Sequence, residues 1–337
     1  MSAQGTITDD HQGVFAGRFV LEVEGLKKYF AVRRGLLKRT RTEIRAVDGI
    51  SFAIKEGETL CLVGESGSGK STVGRLVLRL IEPTAGSVRL DGHDITDLGR
   101  EAMRPWRKRM QIVFQDPYAS LNPRMTAGRI VAEPLENFPD RESANVMERV
   151  AGLFERVGLR ADTVDKYPFE FSGGQRQRLG LARALALNPS LIVADEPVSA
   201  LDVSVQAQVL NLMMDLQDDL KLAYLFISHD LGVVEHIGHR VAVMYLGRIV
   251  ELAGKEELFA RPLHPYTRAL LAAAPIPNPR AKKERIILEG DMPSPAAPPA
   301  GCHFHTRCPF AFKRCHTEEP VLRDAGHGRQ FSCHLDP

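Results

Sequence analysis

The sequence contains no long apolar run and almost no excess of one charge. None of its apolar stretches reaches the roughly 18–20 residues that a membrane-spanning helix requires, so we expect no transmembrane segment. Its 44 basic and 42 acidic residues nearly cancel, which gives no strong electrostatic attraction to nucleic acid. The segment from Met1 to Arg18 lacks the pattern of a secretory signal. These absences favour a protein that stays in the cytosol and docks, if at all, on a membrane protein.

Cysteine is scarce, and its distribution is uneven. Four of the five cysteines fall in the last 36 residues, spaced as Cys302-x5-Cys308-x6-Cys315-x17-Cys333. Such clustering indicates a metal site more than a disulfide framework. Four thiolates suit zinc or an iron–sulfur cluster, and the spacing lacks the C-x2-C pairs usual in structural zinc sites; a segment without metal is the third interpretation. The fifth cysteine, Cys61, lies in an apolar run and is interpreted as a small core residue.

A glycine-rich stretch, Gly64-Glu65-Ser66-Gly67-Ser68-Gly69-Lys70-Ser71-Thr72, is the strongest local signal, and we call it the phosphate loop. An apolar run before it predicts a buried strand, and residues 73–80 predict a helix after it. This context supports a G-x-x-x-x-G-K-[ST] nucleotide site, in which backbone N–H groups and the helix N-terminus surround a polyphosphate. Lys70 is expected to reach the β- and γ-phosphates, and Ser71 to bind Mg²⁺.

Further apolar runs end in polar residues that suit the same chemistry. Gln115 follows one run, Asp195 and Glu196 end a second, and His229 ends a third. Strands alternating with helices predict an α/β fold with ligands at the carboxyl ends of the strands. Adjacent carboxylates there can hold Mg²⁺ and deprotonate an attacking water, while the glutamine and histidine can sense the γ-phosphate.

The remaining segments give an outline of the chain. We predict poorly ordered residues 1–17, a helical insertion over 116–167, a hairpin over 241–251, a helix over 265–274 and proline-rich connectors at 275–279 and 293–299. The basic stretch from Arg33 to Arg45 is either a solvated loop or a contact with lipid headgroups or a partner. Ser172-Gly173-Gly174-Gln175 opens a second helix suited to an anion. The phosphate loop already binds the phosphates of one nucleotide. The second helix therefore indicates contact with another nucleotide, one that is held by a facing subunit.

Over residues 19–254, the chain resembles an ABC transporter ATPase subunit. The resemblance rests on the order and spacing of the phosphate loop, Gln115, Ser172–Gln175, Asp195-Glu196, Ser199–Asp202 and His229. Phe171 departs from the leucine that usually starts the family signature. Within that family, the chain more closely resembles the ATP-binding subunits of oligopeptide and dipeptide importers. This closer resemblance rests on Phe114–Arg124, His264-Pro265-Tyr266-Thr267 and Gly301–Leu335. The resemblance implies a P-loop NTPase (RecA-like) core with an antiparallel β subdomain, a helical subdomain at about 116–175, and a C-terminal extension over 255–337 after a flexible 1–18.

The resemblance also implies roles for single residues. ATP and Mg²⁺ would be sandwiched between two subunits, with Phe30 stacking on adenine and Tyr29 as the alternative; Glu196, His229, Gln115 and Lys70 would be catalytic, and Ser71, Gln115 and Asp195 would hold Mg²⁺. The other residues expected to contact nucleotide are Gly64, Ser66, Gly67, Ser68, Gly69, Thr72, Ser172, Gly173, Gly174, Gln175 and Asp202. Similar importer ATPases carry a [4Fe–4S] cluster in such a tail, which favours Cys302, Cys308, Cys315 and Cys333 as its ligands.

The partners implied by the resemblance are a second ATPase subunit (a paralogue), two membrane permease subunits and an extracytoplasmic peptide-binding protein, with no nucleic acid. The chain would sit on the cytoplasmic face of the membrane. The alternatives are an importer of nickel or another small solute, and a soluble ABC ATPase acting on DNA or ribosomes. The chain lacks the long coiled-coil insertion of the DNA-repair members and the second cassette of the translation members.

Overall fold

The computed structural model describes residues 17–34, 40–138, 145–273 and 290–336. The interpretations placed on residues 1–16, on the middle of the basic stretch (35–39) and on the connector at 275–279 lie outside these ranges. Among the described residues, none of the helices has both the length and the apolar character needed to span a bilayer.

A four-stranded antiparallel sheet forms one layer of the fold. Its strands stand in the order β2-β1-β4-β5, with β1 Phe19–Arg34, β2 Thr40–Lys55, β4 Ala85–Leu90 and β5 His93–Asp94. The apolar patterns predict strands only over residues 19–23 and 46–54. In the structure, β1 and β2 pair further, from Phe19 opposite Lys55 to Arg34 opposite Thr40. This sheet is the antiparallel β subdomain expected from the resemblance.

An eight-stranded sheet forms the centre of the molecule, in the order β11-β12-β10-β9-β3-β8-β7-β6. Its strands are β3 Thr59–Val63, β6 Met110–Val113, β7 Leu191–Asp195, β8 Ala223–Ser228, β9 Arg240–Tyr245, β10 Arg248–Gly254, β11 Arg323–Gly326 and β12 Arg329–Phe331. The pairs joining β6, β7, β8, β3 and β9 are parallel, and those involving β10, β11 and β12 are antiparallel.

The helices pack around these sheets. They are α1 Lys70–Val77, α2 Arg100–Arg109, α3 Pro117–Ser120, α4 Ala127–Asn137, α5 Val146–Arg156, α6 Gly173–Leu185, α7 Val203–Leu220, α8 Leu231–Ile237, α9 Lys255–Ala260, α10 Pro265–Ala273 and α11 Lys313–Thr317. The predicted helical insertion corresponds to α3, α4 and α5. The sequence patterns had not indicated α2, α8, α9 or α11.

β3 shows why some strands of the chain are continuous apolar runs. Leu60 and Leu62 pack in one core with the antiparallel sheet and α1, while Cys61 and Val63 pack in a second core with the helical side of the molecule. A strand covered on both faces must be apolar at every position, which is why periodicity alone could not orient it. The prediction that Cys61 is a core residue is confirmed, since it is fully buried.

The C-terminal extension joins the central sheet. β12 pairs with β10, so that Glu251 stands opposite Phe331 and Leu252 opposite Gln330. The buried carboxylate of Glu251 accepts the backbone N–H groups of Leu263 and His264, where α10 begins. The extension therefore continues the central sheet beyond β10.

Candidate functional site

The predicted polar residues meet at one edge of the central sheet. β3, β8, β7 and β6 are parallel neighbours, so their carboxyl ends lie side by side. The phosphate loop follows β3, His229 follows β8, Asp195 ends β7 and Gln115 lies two residues beyond β6. The sequence located each of these ends separately, and the sheet order brings them into one site.

The phosphate loop is tightly wound and holds its lysine inside. Gly69 adopts φ +106°, and a Cβ there would stand 2.2 Å from the carbonyl oxygen of Ala46, so only glycine fits. The Nζ atom of Lys70 donates to the carbonyl oxygens of Gly64 at 2.8 Å and Glu65 at 2.9 Å. Burial lowers the pKa of Lys70, and the carboxylates of Glu196, Asp195 and Glu65 work against this. The ammonium group thus lies among acceptors that a phosphate can replace.

The two carboxylates at the end of β7 have different surroundings. Asp195 Oδ1 accepts the Ser71 hydroxyl at 2.9 Å. Burial raises the pKa of Asp195, the charge of Glu196 raises it further, and the Ser71 hydrogen bond opposes both. A buried carboxylate beside another one is stabilised by a cation. Ser71 and Asp195 therefore stand together as candidate Mg²⁺ ligands.

Glu196 lies at the centre of a second group. Its Oε2 atom accepts the side-chain amide of Gln115 at 3.0 Å and lies 3.1 Å from Nδ1 of His229. Its backbone adopts φ +49°, a conformation that is uncommon outside glycine and often found at functional sites. The side chain of His229 is more than half exposed. The three side chains can therefore act on one water molecule at the open edge of the sheet.

The Ser172–Gln175 segment forms a separate surface. The Ser172 hydroxyl accepts the N–H of Gln175, and the Gln175 side chain accepts the N–H of Ser172, which gives a complete capping box at the start of α6. A Cβ on Gly173 would stand 3.2 Å from the side chain of Leu201, next to Asp202 at the start of α7. The side chain of Ser172 remains exposed. This helix start is therefore free to meet another molecule.

The two aromatic candidates for adenine lie differently. The Tyr29 hydroxyl donates to Asp48, whose N–H donates to the carbonyl of Gly247; the N–H of Gly247 donates in turn to the carbonyl of Ser68 in the phosphate loop. Burial, followed by the bond to Asp48, raises the pKa of Tyr29 to about 12. Phe30 is exposed and packs against the Lys28 ammonium. Tyr29 is thus tied to the phosphate loop by a short chain of hydrogen bonds.

The four C-terminal cysteines are close enough to influence one another electrostatically. The N–H of Cys302 donates to the carbonyl of Cys315 at 2.9 Å. Burial, together with the like charges that the other three thiols would carry, raises the pKa of Cys302 to about 11. Within the described ranges, no group of three or more His, Cys, Asp or Glu side chains is arranged to hold a metal ion. The iron–sulfur cluster therefore stays a prediction.

Three contacting residues were not assigned to the site from the sequence. Glu65 of the phosphate loop pairs with Arg307 of the C-terminal extension, and its N–H donates to the Tyr266 hydroxyl. The signal that could have indicated them was His264-Pro265-Tyr266-Thr267, which the sequence connected only with a resemblance. Tyr266 is now seen to contact the phosphate loop directly.

Two family models match the chain. The model described as ABC transporter matches residues 47–199, and the model described as oligopeptide/dipeptide transporter, C-terminal region, matches residues 250–315. The first match contains the phosphate loop, Gln115, Ser172 and the two carboxylates. The second runs from β10 to Cys315.

Named relatives cover nearly the whole chain. A probable peptide ABC transporter ATP-binding protein of Sinorhizobium fredii is 57% identical over 94% of this chain and 90% of its own length. The oligopeptide transport ATP-binding protein AppF of Bacillus subtilis is 54% identical over 94% and 97%, and the dipeptide transport ATP-binding protein DppF of Haemophilus influenzae is 51% identical over 94% and 97%. A dimeric ATP-binding cassette solved after hydrolysis with ADP and phosphate has a TM-score of 0.62 at 28% identity, over 70% of this chain and 98% of its own.

Proposed function

Because the chain belongs to the ABC transporter family, as an ATP-binding subunit of its peptide importers, we propose a specific division of work among its residues. The protein is an ATPase whose hydrolysis energises peptide import. The observation that carries the residue assignment is the position of Glu196, which accepts from Gln115 and lies beside His229 at the edge of the sheet. A carboxylate held there can remove a proton from the attacking water.

The other site residues bind and orient the nucleotide. Lys70 and the N–H groups of the phosphate loop hold the phosphates, while Ser71 and Asp195, joined at 2.9 Å, hold Mg²⁺ with Gln115. Mg²⁺ neutralises charge on the phosphates when bound. Phe30 is the proposed adenine contact, because its ring is exposed and can stack on a base; Tyr29, whose hydroxyl donates to Asp48, is the alternative.

The active unit is a pair of ATPase subunits. Ser172, Gly173, Gly174 and Gln175 complete the nucleotide site of a facing subunit, and Asp202 lies at the junction. The support is the exposed, fully capped start of α6. A paralogue as the facing subunit follows from the resemblance. ATP would close the pair and hydrolysis would release it.

The helical insertion supplies a surface for the permeases. Around α3 and the segment before α6, large apolar side chains are exposed, among them Tyr118 at 52% and Phe169 at 61%. Exposed apolar patches of this kind mark interaction sites. Two permease subunits, fed by an extracytoplasmic peptide-binding protein, would place the chain on the cytoplasmic face of the membrane.

The cysteine tail suits a [4Fe–4S] cluster. The donors would be the four thiols of Cys302, Cys308, Cys315 and Cys333. Their spacing lacks the C-x2-C pairs usual in structural zinc sites, and similar importer ATPases carry such a cluster, which together favour a cluster over zinc. Anaerobic preparations should be brown, with iron and sulfide near four per chain, whereas a colourless, zinc-loaded protein would overturn the assignment.

The function is tested by purification from detergent extracts of membranes. We expect two permeases and a second ATPase to accompany a tagged chain, and a peptide to stimulate its ATPase activity when the binding protein is present. Stimulation by nickel or another small solute, without any by peptides, would redirect the substrate assignment. Stable association with ribosomes, in place of permeases, would refute a role in transport.

A further inference from the structure

A residue of the C-terminal extension contacts the phosphate loop across 242 positions of sequence. The Nη1 atom of Arg307 donates to both carboxylate oxygens of Glu65, at 3.0 and 3.1 Å. The side chain of Arg307 is 7% exposed and that of Glu65 is 29% exposed. A charge-assisted pair that is this shielded from water holds its partners more firmly than a surface pair.

The backbone of Glu65 is held on both sides as well. Its N–H donates to the Tyr266 hydroxyl at 2.9 Å, and its carbonyl accepts Nζ of Lys70 at 2.9 Å. A displacement of Glu65 therefore moves an acceptor of the lysine that is expected to reach the γ-phosphate. Arg307 and Tyr266 act on Lys70 through this one residue.

An aromatic cluster keeps Tyr266 in place. The ring of Tyr266 packs 4.7 Å from that of Tyr245 and 5.4 Å from that of Phe304, and all three rings are fully buried or nearly so. Phe304 lies between Cys302 and Arg307 in the extension. The packing fixes the Tyr266 side chain before any ligand arrives, which is the condition for preorganised binding, and the N–H of Arg307 donates to the carbonyl of Phe304 at 3.0 Å.

A second connection joins the extension to the adenine side. Glu319 pairs with Arg248, and Arg248 pairs with Asp48 at 2.6 Å. Asp48 in turn accepts the hydroxyl of Tyr29. The extension is thus linked to the phosphate loop and to Tyr29, the neighbour of the proposed adenine contact Phe30.

We propose that Arg307 and Tyr266 are positioning residues for ATP binding, which hold Glu65 so that the phosphate loop and Lys70 are preset for the triphosphate. Neither residue touches the reacting atoms. The extension is then a working part of the nucleotide site. This inference rests on the proposed function, because it concerns the same ATP site.

The test measures ATP affinity in the purified full chain. Arg307→Met removes both hydrogen bonds to Glu65 and should raise the Kd for MgATP about tenfold. Arg307→Lys should recover part of this loss, and Tyr266→Phe should weaken binding while keeping the ring. The matched control is Arg314→Met, which breaks an exposed ion pair with Glu318 in the same extension and should leave the Kd unchanged.

Two further readouts separate positioning from general damage. In the assembled transporter, Arg307→Met should raise KM for ATP more than it lowers kcat. Combining Arg307→Met with Glu65→Gln should cost no more affinity than the larger single change, because both break the same pair. Melting temperature, together with thiol reactivity, shows whether the extension stays folded. If Arg307→Met unfolds the extension, the ATP affinities of Arg307→Lys and Tyr266→Phe test the positioning role instead.

The outcomes distinguish the two proposals. If the unsubstituted chain does not bind ATP, the proposed function itself is refuted. If it binds ATP and the folded Arg307 and Tyr266 variants bind within about twofold of the Arg314→Met control, the positioning role is refuted. Full additivity of Arg307→Met and Glu65→Gln would also contradict it.

Discussion

Replacing Glu196 with glutamine changes one atom at the centre of the proposed catalytic group. The Oε2 atom accepts from Gln115 at 3.0 Å and lies 3.1 Å from His229. A glutamine amide can turn its oxygen toward the same two neighbours, so the local hydrogen bonds survive. The phosphate loop, with Lys70 and Ser71, is untouched. ATP binding should therefore persist, while the carboxylate that takes the proton is lost.

The size of the effect follows from the role. General-base catalysis contributes about 10²–10⁴ in rate, which corresponds to about 3–5 kcal/mol of activation free energy. We expect hydrolysis by the assembled transporter to fall by this factor at saturating MgATP. Because ATP stays bound and uncleaved, the paired subunits should accumulate in the closed state.

Phosphate release, ATP titration and size-exclusion chromatography measure the three expected results. Glu235→Gln is the matched control, since Glu235 is an exposed residue of α8 and undergoes the same change of charge. If Glu196→Gln hydrolyses ATP within about threefold of the unsubstituted protein, Glu196 is not the base. Loss of ATP binding would instead indicate a structural role.

Three other experiments test the site and its supports. Lys70→Ala should weaken ATP binding, and an unchanged Kd by titration would count against the phosphate loop. Gly69→Ala should destabilise the protein more than Gly67→Ala, because both glycines have positive φ but only at Gly69 would a Cβ meet a backbone oxygen, at 2.2 Å; equal melting temperatures would contradict this. Burial lowers the pKa of His264 to about 3, so the unfolded chain binds a proton below about pH 6.5 that the folded protein refuses. Stability should fall as pH drops from 6.5 toward 3, and His264→Gln should flatten that slope in denaturant titrations.

The sequence predicted the candidate site residues better than it predicted the lengths of the strands. The phosphate loop, Asp195, Glu196 and His229 were predicted as site residues because each follows a continuous apolar run, a pattern that is local and strong, and the structure brings them to one edge of the sheet. Strand lengths were underestimated where pairing determines them. β1 continues to Arg34 because β2 pairs with it throughout, and no periodicity near Phe30 indicates where a partner strand ends.

The sequence by itself determined the nucleotide chemistry, since the glycines and Lys70 of the phosphate loop and the carboxylates after β7 are needed at fixed local spacings. The tertiary structure alone decided which side chains share a site. It brought Arg307 to Glu65, and it added β12 of the extension to the central sheet. The physical reason is range: dihedral preferences and periodicity act over a few residues, whereas an ion pair across 242 positions depends on how two buried faces pack.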